Sequence, residues 1–132
     1  VDMFRALRNH LFLPAEVVGT ADEERALWQT MAEGRGYVSH DVLEDGTGAE
    51  CVAELPGGRL VSMGQEAPFE PGVVTHLRLP CRAEIRWIAD GACRLTRHGD
   101  EMDAVPAGPG VYRFEARMDG RPWLFTNPFY LR

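Results

Sequence analysis

The side chains able to do chemistry in this 132-residue chain are few, and their spacing decides what they could do. His10, His40, His76 and His98 are the four imidazoles, and no two of them stand at H-x-H or H-x-x-x-H, so none shares an ion with another by local geometry. Ser39 and Ser62 are the only serines, and neither lies in the G-x-S-x-G turn that exposes a nucleophile. His40 and Asp41 could be a base and its orienting acid. Adjacent residues of a strand point to opposite faces, however, and the pair reads better as a solvated turn entry. Cys51, Cys81 and Cys93 show no C-x-x-C spacing and no His placed beside a thiol, so they read as buried small hydrophobes. Asp100, Glu101 and Asp103 are acidic but lack the D-x-D-x-D-G series of a calcium loop, which leaves a solvated hairpin. Gly57-Gly58 and Gly108-Pro109-Gly110 precede no helix and read as turns, not phosphate cradles. Arg78, Arg82, Arg86, Arg94 and Arg97 could form a positive stripe, yet Glu84 and Asp90 lie among them and cross-strand pairing accounts for them. No catalytic, cofactor-binding or metal-binding residue is assigned.

Composition agrees with a folded domain without its own chemistry. The chain is 45% apolar and 26% charged, with 14 Gly and 9 Pro, far from the signature of disorder, and its length suits one main core. All 14 basic residues are Arg, which coding bias explains without function. A net charge of −6 speaks against a nucleic-acid reader. Residues 1–48 carry nine acids against four Arg, and residues 49–132 eleven against ten, so two segments of different character are expected. No apolar run is long enough for a membrane span and no signal peptide is visible. With the odd number of cysteines, this points to a soluble, cytoplasmic chain.

The elements follow from periodicity. Met3, Phe4, Leu7 and Leu11 recur at helical spacing, predicting an amphipathic helix over residues 2–13 that ends near Pro14. Thr20-Ala21-Asp22-Glu23 has the form of a capping box, predicting a second helix with the apolar stripe Leu27, Trp28, Met31, stopped by Gly34 and Gly36. From Tyr37 the period becomes two. Strands are predicted at 37–40, 50–55, 59–63, 73–79 and 83–87, at Cys93 and Leu95, at Met102 and Ala104, at 112–118 and through Trp123, Phe125 and Phe129. Asp90-Gly91, His98-Gly99-Asp100 and Asp119-Gly120 supply turns.

Turns every 8–12 residues or so, an inward Trp87, and Tyr112 straight after Gly108-Pro109-Gly110 predict an immunoglobulin-like β-sandwich with a tyrosine corner. Leu77 and Phe114 would then occupy the sites of the inter-sheet disulfide. The expected class is mainly β: a sandwich over residues 37–132, preceded by two α-helices in residues 1–36.

Phe4-Arg5-Ala6-Leu7-Arg8-Asn9-His10-Leu11-Phe12-Leu13, the Thr20-Ala21-Asp22 helix start, Gly34-Arg35-Gly36-Tyr37-Val38, Pro109-Gly110-Val111-Tyr112-Arg113-Phe114-Glu115 and Pro122-Trp123-Leu124-Phe125-Thr126-Asn127-Pro128-Phe129-Tyr130-Leu131 together resemble the carboxyl-terminal region of PHP-domain proteins, metal-dependent phosphoesterases related to histidinol phosphatase. The resemblance spans nearly the whole chain. It implies that catalysis and its divalent metals belong to a barrel absent from these residues, whose ligand motifs do not occur here, and that His10 is not a ligand. Residues 1–36 would be a helical linker from that barrel, and residues 37–132 a non-catalytic accessory domain. A start at Val1, inside a helix pattern, fits a piece of a longer protein. The implied partner is the barrel of the same polypeptide, with a homodimer as a second possibility and neither nucleic acid nor membrane. The alternative is a free-standing sandwich module that binds carbohydrate or peptide, for which no exposed aromatic platform is expected.

Overall fold

A computed structural model describes residues 6–132. The chain is mainly β, one almost wholly antiparallel sheet curled around a single core, with a 3-10 turn at Ala15–Val17 and one short α-helix on its flank among the described residues. In chain order the elements are β1 (Leu7–Leu11), α1 (Glu23–Ala32), β2 (Gly36–His40), β3 (Glu50–Glu54), β4 (Leu60–Ser62), β5 (Glu66–Ala67), β6 (Val74–Ala89), β7 (Ala92–Ala104), β8 (Gly110–Met118), β9 (Arg121–Thr126) and β10 (Phe129–Leu131). The main path runs β1-β2-β9-β8-β6-β3-β4. β7 lies on β6, and β10 joins β8 to the short β5, the latter pair being parallel.

β6 makes the curl. Its odd-numbered residues Thr75, Leu77, Leu79, Ala83, Ile85 and Trp87 all face the core, the alternation expected of half-buried strands. Opposite β7, the first half, Val74–Arg78, pairs with β3, and the second half, Glu84–Ala89, pairs with β8. Between them the pairing with β7 slips from Arg78↔Glu101 to Ala83↔Gly99. Pro80, which has no N–H to offer, falls in this bulge. The sequence pattern suggested two strands here and two more along β7; the structure joins each pair into one. His98-Gly99-Asp100 is therefore strand, not turn, because Ala83 and Glu84 supply its partners.

The two short hairpins form as expected. Asp90 and Asp119 adopt positive φ of 48° and 50°, each followed by a positive-φ glycine, the conformation a two-residue loop needs to match strand twist. A bulge in β9 sets Ala116↔Leu124 beside Arg117↔Pro122, so Trp123 has no partner and both Trp123 and Leu124 turn inward. Phe114, Trp123 and Phe129 are fully buried, each worth about 2–3 kcal/mol of transfer free energy. Trp87 stacks on Tyr112 with ring centroids 5.2 Å apart, and the Tyr112 hydroxyl donates to the Gly108 carbonyl at 2.6 Å.

Three expectations are corrected. The first helix does not run through residues 7–13: Leu7–Leu11 is a strand antiparallel to β2, in register Leu7↔His40 to Leu11↔Gly36, while residues 2–5 of that prediction lie outside the described residues. The free edge of β2 outweighs helical propensity by pairing this backbone, and Gly36 permits it, since a Cβ there would stand 2.3 Å from the His10 carbonyl oxygen. The second helix forms, but the capping box is shifted. The Thr20 hydroxyl takes the Asp22 amide and Glu23 reaches the Gly19 amide at 2.7 Å, while Asp22 caps the helix without a side-chain bond. Its stripe does not turn inward: Leu27, Trp28 and Met31 are all exposed, and Thr30 is the buried residue.

Candidate functional site

Strand alternation brings Ser39 and Asp41 to one face of β2 and its extension, and pairing with β1 sets His10 beside them. His10 Nε2 lies 2.8 Å from Ser39 Oγ, and Ser39 donates a short hydrogen bond to Asp41 Oδ1. The same carboxylate oxygen accepts the Gly46 amide at 3.2 Å. Asp41 Oδ2 lies 3.3 Å from Arg8 Nε, within ion-pair distance but without hydrogen-bond alignment. His10 stacks flat on Tyr37, centroids 4.4 Å apart, and the Tyr37 hydroxyl donates to the Gly46 carbonyl at 2.7 Å. A Cβ on Gly46 would meet Ser39 Oγ at 2.5 Å, so glycine lets the loop close on the network.

Histidine, serine and aspartate in contact are the residues of nucleophilic catalysis, but their order is wrong for it. A carboxylate only accepts, so the serine proton points to Asp41 and His10 must donate to the serine oxygen. A triad needs the reverse, with the imidazole taking the serine proton and the acid behind it. Ser39 is moreover wholly buried. The network binds β1, β2 and the 41–46 loop into one piece. Burial raises the Tyr37 phenol above its usual range, helped by the Asp41 and Asp45 charges and opposed by the Ala49 and Gly48 backbone. Asp45 titrates below the usual carboxylate range because the Thr47 hydroxyl and amide bond it.

A groove of about 600 Å³ lies on the outer face of β4, β3, β6 and β7, with Phe12 at its rim. His76 lines it, its Nδ1 donating to Asp103 Oδ1 at 2.7 Å and its Nε2 3.5 Å from Glu54 Oε2 without alignment. Arg78 sits in register between Glu50 and Glu101. Ser62 also lines the groove, but Val52 separates it from His76 in the strand order, a gap of roughly 9–10 Å at the usual strand spacing. The His76 ring is engaged by Asp103 and Glu54, and no hydrogen bond joins it to Ser62. The groove can hold a ligand and has no paired nucleophile and base.

The remaining sequence candidates are dispersed. His40 ends β2 and Asp41 opens a turn as expected, but the Asp41 carboxylate is buried in the network above instead of solvated. His98 is exposed on β7, 3.9 Å from Glu84. Asp100, Glu101 and Asp103 are spread along β7 and do not form a hairpin. Arg86 pairs with Glu84 at 2.6 Å within its own strand. Cys51 is buried and its thiol is pushed far up by desolvation; Cys81 is half-buried and raised in the same direction, with help from Glu44. Cys93 is exposed, contrary to the expectation of a buried hydrophobe, because the end of β7 extends past the core. Among the described residues no group of three or more His, Cys, Asp and Glu is placed to hold a metal ion, and no helix is long and apolar enough to cross a membrane.

Three of the segments quoted for the family resemblance, around Gly34-Gly36, Phe114 and Thr126-Pro128, meet at one junction. Asn127 Nδ2 donates to the Gly34 carbonyl at 2.8 Å and its amide to Gly36. The Thr126 hydroxyl accepts the Phe114 amide at 2.9 Å, and the Pro128 carbonyl accepts the Gly64 amide at 2.7 Å. Gly34 ends α1 with φ of 67° and packs on Gly64, where a Cβ would stand 2.3 Å from the Gly34 oxygen. These residues tie helix to sheet. No family model, curated protein or solved structure matches the chain.

Proposed function

We propose that this chain is a non-catalytic accessory domain, an immunoglobulin-type sandwich carried behind the metal-dependent barrel of a cytoplasmic PHP-family phosphoesterase. The observation that carries the reading is α1, a helix held to the sheet by the Asn127–Gly34 junction while Leu27, Trp28 and Met31 face away from it. Trp28 is 61% exposed, and an apolar helical stripe of this kind marks a surface that packs on something else. The barrel of the same polypeptide is the partner, and the divalent metals belong to it. The Tyr112–Gly108 bond and the Trp87–Tyr112 stack support the immunoglobulin type, since such sandwiches fix a corner with a tyrosine of this kind.

The test has two arms. The chain by itself hydrolyses no phosphoester with Mn²⁺ or Zn²⁺ present; metal-dependent turnover that disappears with His76→Ala or His40→Ala overturns the reading. In the coding sequence upstream, an open frame with His-rich barrel motifs supports it, and a frame without them removes the PHP assignment.

The groove around His76 favours a second reading, a free-standing binding module. Glu50, Glu101 and Asp103 on its walls suit a basic peptide better than a neutral sugar, with Phe12 and Leu60 as apolar contacts. Titration with an arginine-rich peptide, lost on Asp103→Lys, would favour this module; no binding at millimolar peptide would dismiss it.

A further inference from the structure

Aspartate followed by glycine is open to a backbone rearrangement, because glycine has no side chain to screen its amide from the preceding carboxyl. The chain has three such pairs, Asp45-Gly46, Asp90-Gly91 and Asp119-Gly120, alike in sequence and unlike in structure. Asp45 Oδ1 accepts the Thr47 amide at 2.9 Å, and Gly46 is buried with its own amide 3.2 Å from Asp41 Oδ1. Asp90 and Asp119 form a matched comparison. Each opens a two-residue hairpin loop with nearly the same φ, 48° and 50°, and both loops are exposed. Asp90 is held: its Oδ1 accepts the Val111 amide at 2.9 Å, and its own amide donates to the Val111 carbonyl at 2.8 Å. Around Asp119 the side-chain bond runs from Arg117 to the Gly120 carbonyl at 2.7 Å, which engages neither the Asp119 carboxylate nor the Gly120 amide. Among the described residues that carboxylate has no hydrogen bond or ion pair, and the space beside Gly120 is open.

We infer that Asp119-Gly120 is a site of spontaneous isoaspartate formation, a covalent modification that the fold suppresses at the other two pairs. The Gly120 amide nitrogen bonds to the side-chain carboxyl carbon of Asp119, and the carboxyl OH leaves with the amide proton as one water, closing a five-membered imide. Water then opens the ring. Attack at the side-chain carbonyl restores aspartate; attack at the main-chain carbonyl leaves the chain running through the side chain, with a free α-carboxylate. Overall composition is unchanged and no oxidant or reductant is needed. To react, the carboxyl must swing over the next amide, so Asp90 must first release Val111, whereas Asp119 has no such bond to break. One hydrogen bond to a charged group corresponds to about tenfold in such an opening. The product puts an extra methylene into the main chain of a loop sized for two residues. Met118↔Arg121, which closes that loop, leads into the β9 bulge that turns Trp123 inward, so the modification acts on the joined end of β8 and β9.

Ageing the folded chain in 18O-labelled water at physiological temperature and near-neutral pH, followed by digestion in ordinary water and peptide mass spectrometry, reads each pair separately, since every ring opening fixes one heavy oxygen. The same chain in guanidinium chloride gives the intrinsic rate of each pair, against which its folded rate is set. The expected result is labelling at Asp119 about tenfold faster than at Asp90 on that scale, with Asp45 also slow. Methyl transfer from S-adenosylmethionine by an isoaspartyl methyltransferase identifies the product at residue 119. Asp119→Asn, which keeps the tolerance for positive φ, should reach the same product faster, releasing ammonia in place of water. Circular dichroism through the incubation shows that the chain stays folded. Equal scaled rates at Asp90 and Asp119 overturn the inference, as does a folded chain that takes up no label at Asp119 while the denatured chain does. The outcome is independent of the hydrolysis assay above, because Asp119 takes no part in it.

Discussion

Ser39 shows how little a residue type says without its neighbours. Its hydroxyl passes a hydrogen bond from His10 to Asp41, and removing it leaves an imidazole nitrogen and a buried carboxylate without their shared partner. Ser39→Ala should therefore destabilise the fold by about 2 kcal/mol, read as a lower urea midpoint at pH 7; an unchanged midpoint would mean that the network contributes nothing. Cys51 supplies a pH dependence. Burial raises its thiol well above the ordinary value of 9.0, so the native state keeps the proton that the unfolded chain releases above about pH 9. The unfolded state then binds fewer protons, and stability, complete below that pH, falls as pH rises. Urea unfolding should show this decline between pH 8 and 10, and Cys51→Ala should reduce it, with the raised Tyr37 phenol accounting for part of the rest. Thiol labelling gives the complementary readout: Cys93 should react in the native state and Cys51 only on unfolding.

At the scale of elements, glycine positions separate contact from conformation. Gly64 and Gly57 both adopt positive φ, 83° and 93°, so alanine is strained at either site. Only Gly64 would also drive a Cβ to 2.3 Å from a backbone oxygen, at the junction of α1 with the β9–β10 turn, whereas Gly57 has open space. Gly57→Ala should cost about 1 kcal/mol, and Gly64→Ala considerably more, with α1 loosened from the sheet. Amide exchange resolves the second part: faster exchange in Glu23–Ala32 with β8 unchanged is the expected pattern, and uniform loss of protection would speak against a local junction. The alternation of Val73 to Leu79 and of Ala83 to Trp87 was legible in the sequence because each half buries one face. Their fusion across Pro80 was not, because β7 and its register supply the reason.

For the whole molecule, the distribution of tryptophans is the testable feature. Trp87 and Trp123 belong to the core, and Trp28 faces outward from α1. Acrylamide should quench one accessible fraction of the fluorescence, and Trp28→Phe should abolish that fraction; three equally protected indoles would mean that the helix face is covered in solution.

The sequence alone determined the mainly β class, the two Asp-Gly hairpins, the helix ending at Gly34 and the inward placement of Trp87, Phe114 and Tyr112. Each rests on a local rule, either a period of two or a backbone conformation that only certain residues adopt. Tertiary structure decided the rest. Leu7–Leu11 became a strand because β2 offered an edge; Asp41 was buried because His10 and Arg8 came to it from 30 residues away; the apolar side of α1 stayed outside because Asn127 and Gly64 hold the helix by its end. Such contacts link segments distant in the chain, and their free energy outweighs local preference without leaving any periodic trace.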